Sequence, residues 1–244
     1  IMEMYKDRFK DASDFTFIFV GNIKPEETEP LIATYLGALP SVNRKETFRD
    51  NHIDMRQGDY KNIFNKKLET PKATVLVINN GQCAYTLKNQ IMMSMLSQIL
   101  NIMYTESVRE KEGGTYGVSA FGSLTKYPKE KAVLQIYFAT DPATRAKLTD
   151  IILNELNQFA NEGPSTENLN KVKEFMLKKY KENAKENSYW VNILGEYFWE
   201  GTDMNTGYTN TVNSITAKDL QEFTKALLEQ NNRVEVSMTS EETK

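Results

Sequence analysis

The chain has 244 residues, 40% hydrophobic and 26% charged, with a net charge of −3. That balance is ordinary for a globular protein with a sizeable core, and the scatter of Lys and Arg among Asp and Glu argues against a nucleic-acid partner, which needs a concentrated basic face. No apolar run approaches the ~18 residues that span a bilayer, and one His and one Cys are too few for a self-contained transition-metal site or an internal disulfide.

Both ends read as cut. Ile1 is not an initiator residue, and IMEMYKDRF has neither the charged start nor the apolar stretch of a signal peptide, so the parent protein's destination stays open. SDFTFIFVGN (13–22) predicts a strand, with Phe15, Phe17 and Phe19 on one face and Thr16, Ile18 and Val20 on the other. Pro25 opens a helix carrying Glu26 and Glu27 in its first turn, which runs to about Gly37 before Pro40. Residues 41–70 are polar and weakly periodic: a connector with a short edge strand near Tyr60–Asn65, whose lysines suit an exposed edge.

KATVLVIN (72–79) reads as a buried strand, and 86–107 as a long helix with a broad stripe from Leu87 through Met103. The strands TYGVSAFGS (115–123) and KAVLQIYFA (131–139) flank a hairpin loop. Asp141-Pro142 predicts the start of a helix that ends at Gly163-Pro164, and Ser165 or Thr166 caps the next, with a stripe of Leu169, Val172, Phe175, Met176 and Tyr180. An aromatic helix covers 189–199, Thr216 with Asp219 forms a capping box, and RVEVSM (233–238) closes the sheet. A hairpin in mid-chain and incomplete alternation of strands and helices predict an α+β fold: a two-layer α/β sandwich, with a mostly antiparallel sheet and helices packed on one face. No second composition shift appears, so 1–244 reads as a single domain.

REKEGGTYGV (109–118) is the stretch with chemical interest. Gly113 and Gly114 suit a helix end with positive φ, Arg109 a favourable charge at a helix C-terminus, and Tyr116 a packing position at the start of a strand. Glu110 and Glu112 lie beside Arg109, but two carboxylates in a turn are no acid–base pair without a substrate geometry. Trp190, Tyr197, Phe198 and Trp199 fit a core, a contact with another domain or a peptide cleft, while His52 and Cys83 stand alone. The residues by themselves describe an α+β domain without complete catalytic machinery.

YKDRFKDASDFTFIFVGNIKPEETEPLIATYLGALPS (5–41), LETPKATV (68–75), VREKEGGTYGVSA (108–120) and YWVNILGEYFWEGTD (189–203) occur here in one order. Together they resemble the non-catalytic half of the insulinase/pitrilysin family of zinc peptidases, over almost the whole chain. The resemblance implies the C-terminal, non-zinc domain of a long pitrilysin-like member, facing a zinc site across a chamber. The family's inverted zinc motif, His-x-x-Glu-His, cannot be built from one His. Zinc is therefore expected in the N-terminal half of the same polypeptide, with no cofactor in this chain. The resemblance further implies that Arg109 and Tyr116 reach a peptide substrate, and that Gly113 and Gly114 let the turn approach it. Tyr116 would stabilise the transition state and Arg109 would orient substrate. It also implies a fragment inactive alone and an exported, periplasmic parent. The alternatives are a structural or assembly subunit and a peptide-binding domain without peptidase activity.

Overall fold

A computed structural model describes residues 1–111 and 115–241, with the backbone alone at 109–111 and 116. In chain order the described elements are α1 (Met2–Phe9), α2 (Pro25–Tyr35), β1 (Asp59–Lys66), β2 (Ala73–Gln82), α3 (Leu87–Tyr104), a π-helical turn (Thr105–Lys111), β3 (Thr115–Thr125), β4 (Lys131–Thr140), α4 (Arg145–Glu162), α5 (Thr166–Asn183), α6 (Asn187–Glu200), α7 (Tyr208–Ser214), α8 (Ala217–Leu228) and β5 (Arg233–Ser240). Backbone contacts gather the chain, read from sequence as one domain, into two compact units: Ile1–Asn51 with Lys181–Asp203, and His52–Tyr180 with Met204 onward.

The second unit is an α+β sandwich around one five-stranded sheet, ordered β1-β5-β2-β4-β3. Only β1 and β5 run parallel; the other neighbours are antiparallel. Alternation decides which side is buried. Val75 and Val77 lie opposite Phe138 and Ile136 of β4, which in turn oppose Val118 and Ala120 of β3. All of these are buried, and α3, α4 and α8 supply the other half of the core with residues such as Leu96, Ile99, Ile152 and Leu220. The opposite face of the sheet stays partly open, with Tyr137 and Phe121 exposed.

Local chemistry sets the helix limits. Thr216 and Asp219 exchange side-chain and backbone hydrogen bonds in the expected capping box of α8. Lys88 adds an ion pair to Asp219 at 2.6 Å, tying the start of α3 to that of α8. The Lys88 ammonium, then the Thr216 hydroxyl, hold the Asp219 carboxyl at about 2. Gly163 ends α4 at φ +76. Asp141-Pro142 does not start that helix: Thr144 bonds back to the Asp141 carbonyl, so the pair forms a turn and α4 begins at Arg145. The strand expected to close the sheet, β5, lies inside it between β1 and β2, because β1 takes the edge. Its buried row carries Glu235, and Lys61 of the edge strand reaches that carboxylate at 2.8 Å.

The first unit holds α1, α2, α6 and the coil between them. Asp11 is its one buried side chain among the described residues. Its carboxylate accepts hydrogen bonds from the backbone N–H groups of Ser13, Val42 and Arg44, joining two distant stretches of coil. The Val42 N–H contributes most, and the carboxyl is held at about 2. The strand expected over 13–22 is absent from the sheet: 13–14 form a turn, 21–22 a bend, and 15–20 between them enter no ladder, without which there is no strand.

Candidate functional site

The stretch of chemical interest joins the end of α3 to the start of β3, and three features of the sequence shape that junction. First, α3 packs very close to β3. A Cβ on Gly122 would run into the Met93 side chain and the Ser97 hydroxyl, so one of them would have to shift to admit any other residue. Second, Asn101 fastens the helix to the strand. Its Nδ2 donates to the Ala120 carbonyl at 2.9 Å, and its Oδ1 accepts from the Ala120 N–H at 2.7 Å. The side-chain amide thus completes the outward-facing groups of an edge strand as another strand would.

Third, the helix loosens after Tyr104. Tyr104 is fully buried and its hydroxyl reaches the Ile152 carbonyl at 3.4 Å; burial, reinforced by Glu155, pushes that phenol far above its ordinary range. Directly after it, the hydroxyls of Thr105 and Ser107 donate to the carbonyls four residues back, at 2.7 and 3.0 Å. Such back-bonding competes with the helical ladder and widens it, and Thr105–Lys111 form a π-helical turn. A π turn inserts a residue and rotates the chain beyond it, which is why such turns collect at functional sites. Arg109 lies in this turn.

The strand side is irregular too. Thr115 opposes Thr140, and the next pair is Val118 opposite Phe138, so β3 spends one residue more than β4 over this interval. This is a β-bulge in which Tyr116 and Gly117 together face Ala139. The regular pairing that holds from Val118 onward is thus interrupted at 116 and 117. Thr115 pins the irregularity, its hydroxyl donating to the Ala139 carbonyl at 2.5 Å and accepting from the Gly117 N–H at 3.3 Å.

The structure therefore brings the backbones of Arg109 and Tyr116 to the two sides of one junction, held by Asn101. Their side chains, and Glu112, Gly113 and Gly114 altogether, lie outside the described residues. Asn101, Thr105, Ser107 and Thr115 escaped the sequence reading. Asn101 left a signal, a polar residue in the run Ile99-Leu100-Asn101-Ile102-Met103.

A polar cleft of about 1000 Å³ lies elsewhere in this unit, lined by Asp54, Gln82, Cys83, Lys129 and Gln230 among others. It sits by the start of β4, whereas Thr115 pairs with the end of that strand, so the two sites are roughly 30 Å apart at the rise of an extended strand. Asp54 and Lys129 already pair across it at 2.7 Å. Among the described residues no group of three or more His, Cys, Asp or Glu side chains gathers. With one His and one Cys in the sequence, this chain cannot build a zinc site from His and Cys ligands alone. Among the described residues no helix is long and apolar enough to cross a membrane.

The sequence pattern of the peptidase M16 inactive domain matches residues 2–176. A zinc protease PQQL-like protein of Arabidopsis thaliana is 26% identical over 213 residues, covering 79% of this chain and 21% of that protein. The periplasmic protease PqqL of Escherichia coli superposes with a TM-score of 0.76 at 17% identity, over 91% of this chain and 25% of its own. A structure of the first half of PqqL alone also matches, with a TM-score of 0.70 at 19% identity, over 89% of this chain and 49% of its own. The chain thus spans about a fifth of the curated relative and a quarter of the full-length structure.

Proposed function

Since the chain belongs to the peptidase M16 inactive-domain family, we propose that residues 1–244 work as one module, the C-terminal, non-zinc domain of a clam-shell zinc metallopeptidase. The metal is carried by the N-terminal half of the same polypeptide, and peptides are hydrolysed between the halves. This chain supplies substrate contacts and is inactive alone. The naming of relatives as zinc proteases supports the parent's activity, and the occurrence of this fold in one half of a relative supports pairing of halves. One matched protease is periplasmic, and we extend export to the parent.

The observation that supports the site assignment is the β-bulge between Thr115 and Val118, which breaks the ladder at Tyr116. A tyrosine placed only for packing needs no such break. In our reading the Tyr116 hydroxyl donates a hydrogen bond to the oxyanion that forms when a peptide carbonyl is attacked. A preorganised donor of that kind stabilises the transition state more than the substrate. Arg109 holds a backbone carbonyl of the extended peptide and sets the scissile bond in register. Gly113 and Gly114 keep the connecting turn free of side chains.

The test is steady-state cleavage of a quenched-fluorescent peptide by the intact, zinc-loaded parent. Tyr116→Phe lowers kcat by roughly 10²–10³-fold with a smaller change in KM, and Arg109→Ala raises KM. A Tyr116→Phe enzyme with unchanged kcat overturns the oxyanion role. A parent that binds zinc yet cleaves nothing favours a structural or assembly subunit.

A further inference from the structure

We infer that residues 13–22 are a β-strand belonging to a sheet in the remainder of the same longer polypeptide, and that the unit of residues 1–51 and 181–203 is the docking element around that strand. The inference is independent of the roles given to Arg109 and Tyr116.

The segment SDFTFIFVGN has the alternation of a half-buried strand, yet between the turn at 13–14 and the bend at 21–22 its residues 15–20 form no helix and join no ladder among the described residues. Phe15, Phe17 and Phe19, on one side, are 37%, 45% and 52% exposed. Ile18 and Val20, on the other, are half-buried. The exposed rings are not scattered. Tyr5, Phe9, Phe15 and Phe17 form a continuous chain of ring contacts with centroids 4.6, 5.7 and 6.2 Å apart. Phe19 turns into an apolar cleft of about 540 Å³ in the same unit, shared with Ile23, Pro25, Ile32, Trp190 and Leu194.

Backbone outside any helix or ladder, beneath a row of exposed rings, demands two things of whatever covers it. The rings need apolar cover, and the N–H and C=O groups buried with them need donors and acceptors. A helix laid across the segment gives only the first. The edge strand of a sheet gives both, with the rings entering the apolar layer behind that sheet. This identifies the occupant's chemistry. Its source follows from length: the chain spans 21% of a curated relative and 25% of a matched full-length structure. Most of such a polypeptide lies outside residues 1–244, and covalent linkage holds it at high effective concentration.

Amide hydrogen exchange on the full-length protein that contains this chain, without substrate, tests the inference. The amides of 16–20 exchange at least ~100-fold more slowly than those of the exposed coil at 47–49, as in a buried strand. That slowing does not depend on protein concentration. Exchange as fast as the coil overturns the inference. So does protection that grows with protein concentration, which assigns the strand to a second copy, or protection that appears only with an extended peptide, which assigns it to substrate. In the same protein Phe17→Asp lowers Tm by ~3 °C or more; an unchanged Tm overturns the docking role.

Discussion

The two units draw on similar apolar sequence and use it in opposite ways. In the unit of residues 52–180 and 204–241, β2, β4 and β3 align their buried rows under α3, and every buried apolar side chain of the described protein is found there. In the unit of residues 1–51 and 181–203, α1, α2 and α6 bury no side chain at all, and Met4, Tyr5, Phe17, Tyr35, Phe198 and Trp199 face outward. Fully burying one such side chain stabilises a protein by about 1.5–3 kcal/mol, so the second arrangement leaves a large driving force unused. Apolar content therefore reports how strongly a segment is driven to bury itself. It does not report that the partner lies in the same stretch of chain.

The comparison breaks most readily in the core. Phe138→Ala, at a fully buried position, should cost about 3–5 kcal/mol in urea unfolding, whereas Phe17→Ala in this chain alone should cost less than ~0.5 kcal/mol. Equal costs would erase the distinction between the units. Next comes Asn101→Ala. It strips the Ala120 N–H and C=O of their partner and should cost about 2 kcal/mol by thermal melting.

Thr115→Val sharpens the contrast between packing and positioning within the folded unit. Under the proposed role of Tyr116, kcat should fall roughly tenfold with KM unchanged, while stability moves by less than ~1.5 kcal/mol. Steady-state kinetics beside a melt separates the two, and Thr115→Ser should restore the rate.

Acid is expected to weaken both units. Asp219 and Asp11 are each held at about 2, below the ordinary 3.8. A depressed carboxylate gives stability that is fully present above 3.8 and lost as pH falls through 2. Unfolding midpoints should fall between about pH 4 and pH 2, and Asp219→Ala should flatten that limb by about 1 kcal/mol. The smallest effect belongs to Gly117→Ala. A Cβ there meets nothing within 4 Å and φ is not positive, so melting should shift by less than ~0.5 kcal/mol.

Legibility followed the location of each element's partner. The buried runs of β2, β4 and α3 were plain in the sequence because their periodicity is imposed by layers within the chain. The capping box at Thr216 and the edge strand β1 were plain for the same reason: local bonds and lysines decide them. Residues 13–22 showed equally strong alternation, but alternation fixes only faces, not the neighbour that makes a strand. The aromatic helix α6 was likewise visible as a helix, while its exposure was not. At the candidate site, the motif around Arg109 and Tyr116 was evident. The π turn and the bulge were not, because each depends on hydroxyls bonding to nearby backbone, at Thr105, Ser107 and Thr115, and such bonds leave no periodic trace.

Asn101 has one more effect. By occupying the outward donor and acceptor of Ala120, its amide interrupts the bare margin of the sheet halfway along β3. A second extended chain arriving there meets a broken template and can zip only the short stretch on either side. The helix that stiffens the junction thus also makes the edge of β3 a poorer template for pairing with a second extended chain, an effect of a single carboxamide.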